Sequence, residues 1–116
     1  NVASEAGLNG YPGLTAYCAS KGAIVNLTRA MSQELAPAVR VNCVCPGVID
    51  TDMARIGFAL EGDAAAGLEK QAKFYPMKRT ETAEEVASAI LYLASSDAGF
   101  VTGAALAIDG GATAGR

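Results

Sequence analysis

At 116 residues, 51% of them hydrophobic and 18% charged, the chain has the length and composition of one globular domain and excludes a disordered polypeptide. A formal net charge of −3 and a pI near 4.8 exclude the clustered basic surface that nucleic acid or an anionic membrane requires. No run of about 18 apolar residues is present to span a bilayer, and the first residues lack the basic-then-apolar order of a secretory signal, so a soluble, cytoplasmic protein is expected.

The first predicted element follows Thr15, where Ile24, Leu27, Met31 and Leu35 recur at three- and four-residue steps until Pro37 blocks continuation. This predicts a helix of about five turns. "VRVNCVCPGVI" is apolar and rich in β-branched residues up to Pro46-Gly47, with no polar alternation, and so predicts a strand buried on both faces. Residues 51–80 mix helix formers with Gly57, Gly62 and Gly67, which predicts short helices interrupted by turns, the most mobile-looking part of the chain.

"TAEEVASAILYLASS" opens with Thr82 and Glu85 at capping-box spacing and continues with an apolar stripe of Val86, Ile90, Leu93 and Ala94, a second firm helix. "GAALAIDGG", residues 103–111, suits a buried strand, and the tail "ATAGR" is expected to be loose. Helices alternating with strands imply parallel pairing through right-handed crossovers, the α/β class. Two strands are too few to bury their own apolar faces, so more of a longer chain, other copies or another chain should cover the open edge.

Cys18, Cys43 and Cys45 are an odd set, which favours reduced thiols over a disulfide framework. With no histidine and one other cysteine, Cys43 and Cys45 cannot complete a tetrahedral metal site, and none is expected.

Tyr17 and Lys21 stand four apart on the first helix, so hydroxyl and ammonium face one region. A nearby cation stabilises a phenolate and makes the phenol a better acid near neutral pH. A chain with four tyrosines and four lysines produces such a pair by chance often enough that spacing alone does not establish a role, and Tyr75 and Arg79 repeat the spacing. Ser4 alone reads as a turn or helix-entry serine, and Pro46-Gly47 as a turn at the carboxyl end of a strand.

Together, "NVASEAGLNGYPGLTAYCASKGA", "RVNCVCPGVIDTDM" and "VTGAALAIDGG" resemble the classical short-chain dehydrogenase/reductase family, whose members include 3-oxoacyl-carrier-protein reductases and many sugar, steroid and alcohol dehydrogenases. Y-x-x-x-K, N-x-x-S, P-G-x-x-x-T and D-G-G occur in the family's order, from residue 1 to about residue 111. The resemblance implies a Rossmann-like, doubly wound parallel sheet in three αβα layers. It makes Tyr17 the general acid in reduction and base in oxidation. Lys21 then holds the nicotinamide ribose and acidifies Tyr17, and Ser4 hydrogen-bonds the substrate oxygen.

By the same resemblance, Pro46, Gly47, Ile49 and Thr51 bind the nicotinamide end of NAD or NADP, Ile49 through its backbone and Thr51 through its hydroxyl. The segment from Asp52 to Met77 falls at the family's substrate loop, where Met53, Ile56, Phe58 and Leu60 could line an apolar pocket or pack in the core. The substrate is then a small carbonyl or alcohol, and a homo-oligomer, dimer or tetramer, is expected.

The family's G-x-x-x-G-x-G turn and the residue that selects NAD over NADP do not occur in these 116 residues; "GFVTGAA" lacks the last glycine and precedes the final strand. Residues 1–116 therefore resemble the carboxyl half of a single Rossmann domain about twice as long, inactive without its amino half. A stand-alone assembly module and a ligand-binding relative without turnover are the alternatives, and the presence of Ser4, Tyr17 and Lys21 argues against the latter.

Overall fold

The computed structural model describes residues 1–115. The strand predicted around Cys43 is β1, Cys43–Pro46, and all four residues are buried. Its burial follows from its place between two parallel neighbours. On one side β1 pairs with β2, Ala105–Ile108, with Cys43 opposite Ala105 and Pro46 opposite Ile108. On the other, Val2 bridges Val44 in parallel, through Ala3 N–H to Val44 O at 2.8 Å and Val44 N–H to Asn1 O at 3.1 Å. The first residues thus form a third, short parallel segment, and the α/β class holds.

β2 was expected to be buried but is only half-buried, with Ala107 exposed, because among the described residues no strand pairs with its far side. The tail is more ordered than its composition suggests: Asp109 accepts hydrogen bonds from the Gly111 and Thr113 amides and from the Thr113 hydroxyl, so residues 109–113 wrap one carboxylate. Arg116 lies outside the described residues.

The long helix is α1, Thr15–Leu35. Its buried residues are Val25, Thr28 and Ser32, while Leu27 and Leu35 of the predicted apolar stripe are exposed. Small and hydroxylated side chains face the sheet because the backbones come close: a Cβ at Gly103 would lie 2.8 Å from Ser32 Oγ. Thr28 and Ser32 return their hydroxyls to the helix carbonyls of Ile24 and Arg29, so their burial leaves no donor unpaired.

The insert forms two helices, α2 (Asp52–Leu60) and α3 (Ala64–Phe74), broken at Gly62 as expected. Gly57 and Gly67 lie inside the helices instead of in turns. At Gly67 the reason is packing, since a Cβ there would fall 2.5 Å from the Phe58 ring. α4, Ala83–Ala94, carries the predicted capping box from Thr82 and Glu85. Only Val86 of its stripe is buried; Ile90 and Leu91 face solvent. Arg40 terminates α4, its guanidinium donating to the carbonyls of Leu93, Ser95 and Val101. Among the described residues no helix is long and apolar enough to cross a membrane.

Candidate active site

Parallel strands place their carboxyl ends together, and three chain segments leave the sheet at that edge. Directly after the first, Ser4 is extended and its Oγ accepts the Ala6 N–H at 3.2 Å, capping the one-turn 3-10 helix Glu5–Gly7. The structural reading of Ser4 as a turn serine is therefore correct in itself. Accepting uses a lone pair, so the hydroxyl hydrogen remains able to donate.

That turn lies directly on α1. A Cβ at Gly7 would stand 2.7 Å from the Lys21 carbonyl oxygen, closer than any side chain permits. Glycine there brings the Ser4 turn against the stretch of α1 that carries Tyr17 and Lys21. Tyr17 is 46% exposed. The Lys21 ammonium sits 5.6 Å from the centre of its ring, inside cation–π range, so the four-residue spacing does bring both groups to one side of the helix.

Pro46 ends β1, and Gly47 makes the last rung of the ladder, its N–H donating to Ile108 O at 2.9 Å. Beyond it, residues 48–50 leave β2 and pair with Glu81, through Glu81 N–H to Val48 O at 3.0 Å and Asp50 N–H to Glu81 O at 3.2 Å. In a parallel bridge of this kind the central residue's own amide and carbonyl face the opposite side. Ile49 therefore directs its backbone groups away from Glu81. The Thr51 hydroxyl caps α2 with two long contacts, from Ala54 N–H at 3.4 Å and to Ile49 O at 3.5 Å, and is weakly committed.

Behind this edge lies a buried polar pair that sequence reasoning missed. Tyr75 is 4% exposed. Its ring rests on Gly47, where a Cβ would come within 3.1 Å of it. The phenol oxygen accepts the Val48 N–H at 2.8 Å and donates to Glu5 Oε1 at 2.9 Å. Burial, with the Glu5 charge adding to it, holds the phenol above its ordinary pKa despite the opposing Val48 N–H, so Tyr75 stays a donor. Nothing in the sequence marks a contact across 70 positions. Arg79, its partner in the spacing argument, turns instead to Glu85.

A cavity of about 160 Å³ opens beside Tyr75, lined among others by Gly47, Val48, Glu81 and Asp109. Both carboxyl oxygens of Glu81 are buried there without a hydrogen-bond partner, the Gly47 N–H being spent on Ile108. Desolvation, with the Glu85 charge adding to it, pushes the Glu81 carboxyl up to about 7. Cys43 and Cys45 are free and buried in the core. Burial first and Cys43 second push the Cys45 thiol up to about 12, which keeps it a protonated core side chain near neutral pH. Among the described residues no three His, Cys, Asp or Glu side chains gather to hold a metal ion. Met53, Ile56 and Leu60 are exposed and Phe58 packs on Gly67.

The turn, helix and loop at this edge are those of a known family. The family model described as enoyl-(acyl carrier protein) reductase matches residues 1–113. The chain belongs to that family, among the short-chain dehydrogenases/reductases. In Xanthobacter autotrophicus, 2-(S)-hydroxypropyl-CoM dehydrogenase 3 is 47% identical over 98% of this chain and 45% of its own length. An inactive 2-(S)-hydroxypropyl-CoM dehydrogenase 2 of the same organism is equally similar, 47% over 98% of this chain and 50% of that protein. The ligand-free aldohexose dehydrogenase of Thermoplasma acidophilum superposes with a TM-score of 0.95 at 35% identity, covering 100% of this chain and 48% of the enzyme. The chain thus spans about half the length of the relatives it matches.

Proposed function

We propose that residues 1–116 are the carboxyl half of a Rossmann-like domain and carry the proton-transfer and nicotinamide side of an NAD- or NADP-dependent dehydrogenase/reductase. The observation that carries this reading is the Gly7 contact, which sets the Ser4 turn against the exposed Tyr17 and Lys21 pair. Similar solved structures hold NADH in one case and NADP in another. The residues present fit such a cofactor, because Ile49 has backbone groups turned away from its bridge and Thr51 a weakly held hydroxyl, at the end of β1.

When bound, the cofactor carries the hydride. Tyr17 holds the proton that the substrate oxygen takes in reduction and returns in oxidation. Lys21 steadies the phenolate and, through its ammonium hydrogens, the ribose hydroxyls. Ser4 donates its free hydroxyl hydrogen to the substrate oxygen and orients it. Pro46, Gly47, Ile49 and Thr51 shape the nicotinamide end of the site.

The substrate in this reading is a small carbonyl or alcohol. The exposed Leu27, Leu91 and Phe100 support a homo-oligomer that covers them, and three free cysteines support a reducing compartment such as the cytoplasm. The test is fluorescence titration of the natural gene product with NADH and NADPH, then turnover of acetoacetyl-CoA and 2,3-butanedione. Saturable binding with turnover that disappears in Tyr17→Phe supports the reading; turnover unchanged in Tyr17→Phe overturns it. A relative named inactive at 47% identity favours one second reading, nucleotide binding without turnover.

A further inference from the structure

Tyr75 occupies an unusual place between two parts of the proposed site. β1 ends its ladder at Gly47, so Val48 is the first residue whose amide has no strand to pair with. The Tyr75 hydroxyl supplies the missing acceptor at 2.8 Å. The same oxygen gives its hydrogen to Glu5 Oε1 at 2.9 Å, and Glu5 is the first residue of the turn that Ser4 caps. The ring packs on Gly47, so loop, ring and turn are held through one buried side chain.

We propose that Tyr75 is a positioning residue: its hydroxyl clamps the Ser4 turn, which orients substrate, to the loop of residues 48–51, which receives the nicotinamide. The clamp rests on the functional reading above. A phenol suits the task because one oxygen both accepts and donates, along two directions set by a rigid ring. It is buried, and acts through its hydrogen bonds to Glu5 and Val48. Small displacements at either end are costly, since a misplacement of about 1 Å can reduce turnover roughly a hundredfold.

The experiment uses Tyr75→Phe, which keeps the ring on Gly47 and removes only the hydroxyl, in the natural gene product. Three readouts are taken: hydrogen exchange of the Val48 amide, Kd for NADH and NADPH, and kcat with acetoacetyl-CoA. Tyr75→Phe is expected to lose Val48 protection, weaken the nucleotide roughly tenfold and lower kcat about ten- to a hundredfold. In a Ser4→Ala background its effect on kcat should shrink, because both changes disturb the same oxygen contact. Glu5→Met, a second variant, leaves the Val48 bond in place and should lower kcat with nucleotide Kd unchanged.

Val48 remaining protected in Tyr75→Phe overturns the clamp, whether or not the protein turns over a substrate. So do effects of Tyr75→Phe and Ser4→Ala that simply multiply. Failure of the wild-type protein to bind either nucleotide overturns the reading beneath it, and the clamp to the nicotinamide loop with it. If Tyr75→Phe does not fold, a Glu5→Met variant in which kcat stays at the wild-type value overturns the proposal.

Discussion

The two sides of the sheet edge differ in kind. On the outer side stand Tyr17 and Lys21, exposed or half-buried on a helix, with few contacts that stability would miss. On the inner side Tyr75 and Glu5 are buried and Glu81 half-buried, polar groups wedged between the strand ends and the loops that leave them. The outer groups suit chemistry because they can reach a ligand. The inner ones suit support, because a buried polar group tolerates little displacement of its partners.

The contrast is tested most strongly at Tyr17. Tyr17→Phe should cut turnover by about a thousandfold, within the usual range for a general acid, and leave the melting temperature and nucleotide Kd near wild type. A variant that loses stability as well would erase the distinction between the two sides.

Gly7→Ala should do the reverse. Its Cβ would meet the Lys21 carbonyl at 2.7 Å, and since backbone cannot swing aside as a side chain can, a destabilisation of about 1–3 kcal/mol is expected in denaturant unfolding. Activity should fall with it, because Lys21 shifts along with the turn.

The inner side should also respond to pH. Glu81 has its pKa raised from 4.5 to about 7, so the folded state holds its proton longer than the unfolded chain. Stability from this group is greatest below pH 4.5, falls as the pH rises towards 7 and is level above. Partial solvation reduces the effect to roughly 1–2 kcal/mol. Unfolding midpoints measured from pH 4.5 to 8 should show that decline in wild type and a flatter profile in Glu81→Gln.

The smallest effect belongs to Glu85, whose carboxyl Arg79 and then the Thr82 amide hold down to about 2. Its contribution is present above pH 4.5 and disappears as the pH falls towards 2, the opposite sign to Glu81. In solvent the ion pair is weak, so Arg79→Gln should shift the midpoint only slightly and lose that shift in high salt.

Local signals carried much of the architecture and half of the candidate site. The capping box at Thr82 and Glu85, the helix ending before Pro37, the strand ending at Pro46-Gly47 and the four-residue step from Tyr17 to Lys21 all depend on neighbours within one turn or one strand. Such features are legible because backbone geometry maps short spacings directly onto space.

Tertiary contact decided the rest. The apolar stripe of α1 was sound as a helix signal, yet the face turned inward is Val25, Thr28 and Ser32, because the close approach of Gly103 leaves room only for small side chains. Gly67 became a helix residue because Phe58 lies on it, and Tyr75 became a link because Val48 had lost its strand partner and Glu5 stood opposite. Residue types and short spacings by themselves determined the α/β order and the Tyr17–Lys21 pair, while the motifs carried the resemblance to the family that the family model shows. Which side chain joins the Glu5 turn to the Val48 loop depends on chain segments up to 70 positions apart, a juxtaposition that only packing creates.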